Sequence, residues 1–208
     1  PEPKSFAGGD LRGVEEGLGY LEELGVSCIY MTPVFQSVSN HKYDIEDYYK
    51  VDPRFGGDEA LRSLIEAAHA RGMKVVLDGV FNHCAYTNPI FTDTSVRGRE
   101  SPYWNWFFIE GERSSFEARN YRTFADVPYM PKLNTDCDEV IDYFCGVGRY
   151  WIEQFGADGI EELLHSLFLD ILVGNHFQRV QFTAGIDFSL YDIELRHIRF
   201  LLRVDVVV

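Results

Sequence analysis

Three polar residues close an apolar run at Val75-Val76-Leu77-Asp78-Gly79-Val80-Phe81-Asn82-His83. A carboxylate, an amide and an imidazole can together donate to and accept from the hydroxyls of a sugar. The carboxyl end of a buried strand is also where α/β enzymes keep their sites. Aromatic residues make up 15% of the chain and cluster at Tyr103-Trp104-Asn105-Trp106-Phe107-Phe108. Flat apolar faces of that kind suit stacking on a sugar ring, and they suit the packed core of a loop equally well.

The elements that must carry these residues repeat one phrase three times. Asp10 opens a helix with Leu11, Val14, Leu18, Leu21 and Leu24 at helical spacing, Gly25 ends it, and Val26 to Met31 reads as a buried strand. In the second phrase Asp58 caps a helix bearing Leu61, Leu64, Ile65 and Ala68, Gly72 ends it, and Lys74 to Leu77 continues as a strand. The third runs through Val140, Phe144, Val147, Trp151 and Phe155 to Gly156, with a strand from Asp158 to Ile160. Helix, glycine and strand joined by short junctions imply parallel strands with right-handed crossovers, hence an α/β sheet, either a barrel or an open doubly wound sheet. The long segment from Cys84 to Pro131 leaves the carboxyl edge of a strand before the third helix, and a connection of that length is expected to be functional or a small domain of its own.

Composition removes several function classes. A net charge of −14 and a pI near 4.8 argue against nucleic acid or an anionic membrane as partner, since both demand a basic patch. No apolar run approaches the roughly 18 residues that would span a bilayer. Cys28, Cys84, Cys137 and Cys145 show neither CxxC spacing nor a His/Cys ligand pattern, so they are expected to be free thiols, mostly buried. A glycine-rich strand-to-helix turn of the dinucleotide type is missing, which argues against a flavodoxin-like cofactor site. With 208 residues the chain sits at the lower bound of about 200 to 250 that a closed (β/α)8 barrel requires. It starts at Pro1 without a methionine and is read as an internal fragment.

Six pieces, in order, carry a resemblance. They are Phe6-Ala7-Gly8-Gly9-Asp10-Leu11, Gly25 to Pro33, Ser39-Asn40-His41-Lys42-Tyr43-Asp44, Asp47-Tyr48-Tyr49 with Asp52-Pro53-Arg54-Phe55-Gly56, Asp78 to His83, and Met130-Pro131-Lys132-Leu133-Asn134-Thr135. Together they resemble glycoside hydrolase family 13, the α-amylase family, in its neopullulanase, cyclomaltodextrinase and maltogenic amylase branch. The resemblance implies a TIM (β/α)8 barrel of which residues 1–160 form an N-terminal portion, about strands 2 to 4, with an inserted domain B at about 84–128. It implies an α-glucan oligosaccharide as ligand and a retaining glycosidase as activity. Tyr43 would stack on the sugar on the non-reducing side of the scissile bond, His83 would hydrogen-bond its hydroxyls, and Asp78 and Asn82 would support the site. Gly8 and Asp10 would contribute to a calcium site, which needs six to eight oxygens. Intact members are expected as homodimers, and a cytoplasmic setting is favoured. Taken singly, Tyr43 also fits a loop tyrosine, His83 a satisfied end-of-strand histidine and Asp10 a helix cap.

The chain departs from the family where the chemistry should be. Retaining glycosidases need a carboxylate nucleophile and a second carboxyl about 5 to 5.5 Å away. The family pattern Gly-x-Arg-Leu-Asp is met here by Gly159-Ile160-Glu161-Glu162-Leu163, with Glu161 in the arginine position and Leu163 in the nucleophile position. No general acid or third carboxylate is found, so no catalytic residue is assigned. All eight prolines, three tryptophans and five lysines precede Glu161. Residues 161–208 therefore read as an unmatched tail, frameshifted or misjoined rather than a genuine cap on a half barrel, with a possible helix from Glu161 to Val173. The rival function class is a non-catalytic carbohydrate- or partner-binding fragment.

Overall fold

The computed structural model describes residue 6 and residues 8–161. The rest of the expected tail beyond Glu161 lies outside the described residues. Helices α1 (Leu11–Glu16) and α2 (Leu18–Glu23) are followed by strand β1 (Cys28–Met31), then by a hairpin of β2 (Phe35–Ser37) and β3 (Ile45–Val51). Helix α3 (Gly57–His69), strand β4 (Lys74–Asp78), helix α4 (Pro89–Arg97), helix α5 (Asp138–Phe155) and strand β5 (Gly159–Glu161) complete the order. The first expected helix is two short ones, broken at Gly17, and the Asp10 carboxylate accepts from the Gly13 amide at 2.8 Å as its cap. Asp58 is not a cap: Gly56 occupies that position, and the Asp58 carboxylate in the first turn of α3 accepts from the Val51 amide at 2.8 Å.

Strands β1, β4 and β5 form a parallel sheet in chain order. Each strand pairs with the next one, as in a sector of a barrel, whereas a doubly wound sheet reverses order at its switch point. α3 is amphipathic because Ala60, Leu61, Leu64, Ile65 and Ala68 recur on one face, and all five are buried. α5 buries Val140, Phe144, Val147, Trp151 and Phe155 in the same way and ends at Gly156, whose φ of 77° supplies the left-handed turn. Glu161 belongs to β5 and so does not open a helix.

The β2–β3 hairpin was not legible as a pair of strands, and it turns out to be the second anchor of the core. Tyr48 on β3 is buried against Phe81 and Phe144, and the Trp151 indole donates to the Tyr48 carbonyl at 2.8 Å. Phe35 stacks on Trp151 at 4.9 Å. Between β4 and α5 the chain makes its long excursion, in which Phe91 of α4 meets Phe107 and Tyr121 edge-on at 4.9 and 4.7 Å. Antiparallel bridges Phe107↔Leu133, Ile109↔Tyr121 and Thr123↔Pro131 fold it back on itself, and His83↔Lys132 ties its return limb to the end of β4. Of the aromatic cluster, Trp106 and Phe107 are buried in this segment. All four cysteines are free, but only Cys84 is buried; the other three are half-buried.

Candidate functional site

β4 delivers Asp78 to the carboxyl end of the sheet, where two phenols meet it. Tyr30 of β1 donates to Asp78 Oδ2 at 2.9 Å, and the Tyr43 phenol lies near enough to the same carboxylate to lower its pKa. Burial raises the Asp78 pKa above its usual value, against the lowering effect of the bonds from Tyr30, the Val80 amide and Tyr43. Glu161 is the register partner of Asp78 across β4 and β5, and its pKa is raised by burial and by the Asp78 charge. Burial and the same carboxylate push both phenols upward. The floor of this end is thus built of two carboxyls and two tyrosines.

The turn after β4 is tight. The Gly79 amide donates to the Glu161 carbonyl at 2.7 Å, and a Cβ at Gly79 would lie 2.9 Å from Ile160 Cγ2 and 3.2 Å from the Glu161 carbonyl oxygen. Val80 follows with φ of 42°, a strained value for a β-branched residue that costs on the order of 1–3 kcal/mol. The Tyr48 hydroxyl holds the distorted segment by donating to the carbonyls of Val80 and His83, at 3.2 and 2.7 Å.

His83 is 1% exposed. Its ring lies parallel to Phe124 at 4.6 Å, 7° from coplanar, and Nδ1 faces the Asn82 amide nitrogen at 3.2 Å. Asn82 in turn accepts from the Lys132 ammonium at 2.7 Å, and its carbonyl accepts from the Leu133 amide. Among the described residues the buried Nε2 has no hydrogen-bond partner. Burial lowers the His83 pKa to about 4, overcoming the backbone of Tyr43 and the charge of Asp44, which both favour the cation. The imidazole is therefore neutral at pH 7, with one nitrogen unsatisfied, an uncommon condition for a buried polar atom.

The structure brings four sequence-identified residues together. Asp78 is near enough to the Tyr43 phenol to raise its pKa, the Tyr43 backbone bears on the His83 ring, and Asn82 adjoins His83. Sequence reasoning missed Tyr30, Phe124 and the Asn82 contact of Lys132. Tyr30 could have been found from parity, because it pairs in register with Val76, two residues before Asp78. Phe124 sits in a short 3₁₀ turn that contains left-handed Ala125 and Asp126, for which no residue pattern gives warning.

Gly8 and Asp10 precede the first residues of α1. Both are exposed, and one Asp10 oxygen is engaged as the α1 cap. Among the described residues no group of three or more His, Cys, Asp or Glu side chains could hold a metal ion. Two residues fall well short of the six to eight oxygens calcium takes, so these two do not by themselves fit the ion. No described helix is long and apolar enough to cross a membrane.

Comparison with known proteins agrees with this geometry. Residues 3–161 match the family model described as alpha amylase, catalytic domain. The chain is 49% identical over 160 residues to a cyclomaltodextrinase of Geobacillus thermopakistaniensis, an alignment covering 76% of this chain and 27% of that protein. It is 50% identical over 161 residues to neopullulanase 2 of Thermoactinomyces vulgaris, again over 76% of this chain and 27% of the relative. Among solved structures it superposes on the ligand-free cyclic alpha-maltosyl-(1→6)-maltose hydrolase of Arthrobacter globiformis with a TM-score of 0.77 and 36% identity, covering 83% of this chain and 40% of that one. The chain thus spans about a quarter of the length of the curated relatives it matches. A parallel sheet in barrel order, polar residues gathered at its carboxyl end and an alignment through residue 161 lead to one conclusion: this chain belongs to the α-amylase family of glycoside hydrolases.

Proposed function

We propose that the chain forms the glucan-holding part of an α-amylase-family site, belonging to a hydrolase of maltodextrin, cyclodextrin or pullulan. The observation that carries the reading is the Nε2 of the buried His83, which has no hydrogen-bond partner among the described residues. A sugar hydroxyl would satisfy that nitrogen, while the ring of Tyr43, whose backbone bears on His83, would cover the apolar face of the same sugar. Asp78 and Asn82 hold these two groups rather than touch the ligand. In this reading residues 84–128 are the inserted domain B that bounds the cleft, and the free thiols fit a reducing, cytoplasmic setting. Calcium at Gly8 and Asp10, with further oxygens from elsewhere, and pairing with a second copy are part of the same proposal.

Double displacement needs a carboxylate where this chain has Leu163. The chain by itself therefore holds glucan without cleaving it, which joins the hydrolase reading to that of a non-catalytic carbohydrate binder. Calorimetric titration with maltoheptaose is expected to show binding in the millimolar range or tighter, weakened about tenfold by Tyr43→Ala through loss of a stacked face. Incubation with cyclodextrin or pullulan is expected to release no reducing sugar. Absence of any binding would remove the reading, and turnover that disappears in His83→Ala would overturn the assignment of an inactive chain.

A further inference from the structure

Lys42 is among the most deeply buried side chains of the described residues, at 1% exposure, although it lies in a hairpin loop and no motif assigns it a role. Its ammonium contacts Asp52 Oδ2 at 2.5 Å, the Ser37 carbonyl at 3.4 Å and the face of Phe55 at 5.4 Å. Its backbone is left-handed, with φ of 66°. Both features run against economy. A buried ion pair is seldom more stabilising than apolar residues of the same size, and a lysine in that conformation is strained.

What the two features accomplish is a turn of the chain. With Lys42 rotated inward onto Asp52, the next residue, Tyr43, is held by its amide on His41 Nδ1, and its phenol comes near enough to Asp78 for each to shift the other's pKa. Asp52 is itself fixed: its other oxygen accepts from the Arg54 amide at 2.8 Å, and its own amide donates to Val34 at 2.9 Å. The rest of the loop is pinned from the opposite side. Asp44 accepts from Ser37 Oγ at 2.5 Å and from Ser39 Oγ, the Lys42 amide donates to Ser39 Oγ at 3.2 Å, and the Tyr43 amide donates to His41 Nδ1 at 3.1 Å. The His41 ring lies 6.1 Å from that of Tyr43, inclined at 30°. Removing the Lys42 anchor would leave this serine–aspartate network intact but free to rotate about the hairpin ends.

We propose that the buried Lys42–Asp52 ion pair is a positioning device that sets the ring of Tyr43 against Asp78 and thereby the affinity of the cleft for α-glucan. The glucan part rests on the functional reading given above; the ring position does not. Lys42 acts through Tyr43 and is a positioning residue.

The test uses the full chain with tyrosine rings labelled with carbon-13, the Tyr43 resonance being identified by its loss in Tyr43→Phe. Lys42→Met alone leaves Asp52 buried without a counter-ion and is expected to unfold in part, so the decisive variant is Lys42→Met with Asp52→Leu, which removes both charges. That variant is expected to keep the circular dichroism of the parent, to move the Tyr43 ring resonance toward the position of an exposed tyrosine, and to bind maltoheptaose at least tenfold more weakly. Asp52→Asn, which keeps the shape of the acceptor and drops its charge, is expected to move the same resonance in the same direction by less, and it decides the matter if the double variant does not fold. An unmoved Tyr43 resonance in a folded variant, or affinity within twofold of the parent, would overturn the proposal and leave the pair a purely structural contact. A parent chain that binds no maltoheptaose would remove the glucan reading while the ring resonance still decides whether the pair positions Tyr43.

Discussion

The two ends of the sheet each hold an aspartate, and the two are treated in opposite ways. At the amino end Asp158, just before β5, accepts from the Lys74 ammonium at 2.8 Å, His69 Nε2 at 2.7 Å and the Val75 amide at 2.9 Å. Burial would raise its pKa, but the bonds from Lys74, His69 and Val75 outweigh it and hold the carboxyl below its usual range. At the carboxyl end Asp78 meets two neutral phenols and a second carboxyl, and its pKa is raised. One aspartate is spent on joining β4 to β5 and the other is kept among neutral donors with no cation beside it. In barrels of this architecture that division separates the stabilising face from the working face.

Acid should distinguish the ends first. His83 titrates near 4 when folded and near 6.5 when unfolded, so the unfolded chain binds the extra proton and stability falls as pH drops from about 6.5 to about 4. The loss from this one group is at most about 3 kcal/mol. Asp78 and Glu161 act in the opposite sense, since their raised values make the folded state the better proton acceptor as pH falls. The His83 term is therefore isolated as the difference between urea melts of the parent and His83→Gln at pH 7 and pH 4.5, and equal slopes for the two proteins would break the comparison.

The amino end should be felt next. Asp158→Asn is expected to cost about 2 kcal/mol in urea melts at pH 7 and to leave maltoheptaose affinity unchanged, because it removes charge-assisted bonds far from Tyr43. Its contribution is present above the ordinary aspartate pKa of about 3.9 and disappears as pH falls through the depressed folded value. The contribution of His83 should thus be lost at milder acidity than that of Asp158. A loss of affinity in Asp158→Asn would show that the two ends are not independent.

The smallest effect is the sharpest. Asp78→Asn removes the charge that Glu161 feels across β4 and β5, so the Glu161 titration followed by carbon-13 NMR should move downward. An unmoved Glu161 would show that burial alone raises it.

Much of this arrangement was readable because its signals are periodic or positional. The faces of α3 and α5, the glycine at 156 and the run ending in Asp78-Gly79-Val80-Phe81-Asn82-His83 each obey a local rule. The β2–β3 hairpin was not readable, since its register slips between Phe35, Gln36 and Ser37 and so erases the alternation that marks a strand pair. Asp58 misled for a related reason: it is a good capping residue whose carboxylate was drawn away by the Val51 amide. Lys42 was invisible because no sequence pattern distinguishes a lysine that turns inward from one that faces water.

The indole of Trp151 has a further use. Its ring nitrogen is bonded to β3, its face lies on Phe35 of β2, and it rides on α5, so it touches the hairpin and the helical layer at once. Its emission is an internal gauge of whether those two layers stay docked, blue while they hold and red when water enters. Optical melting of the unmodified protein can therefore time the undocking of the segment that bears Tyr43 without any attached dye.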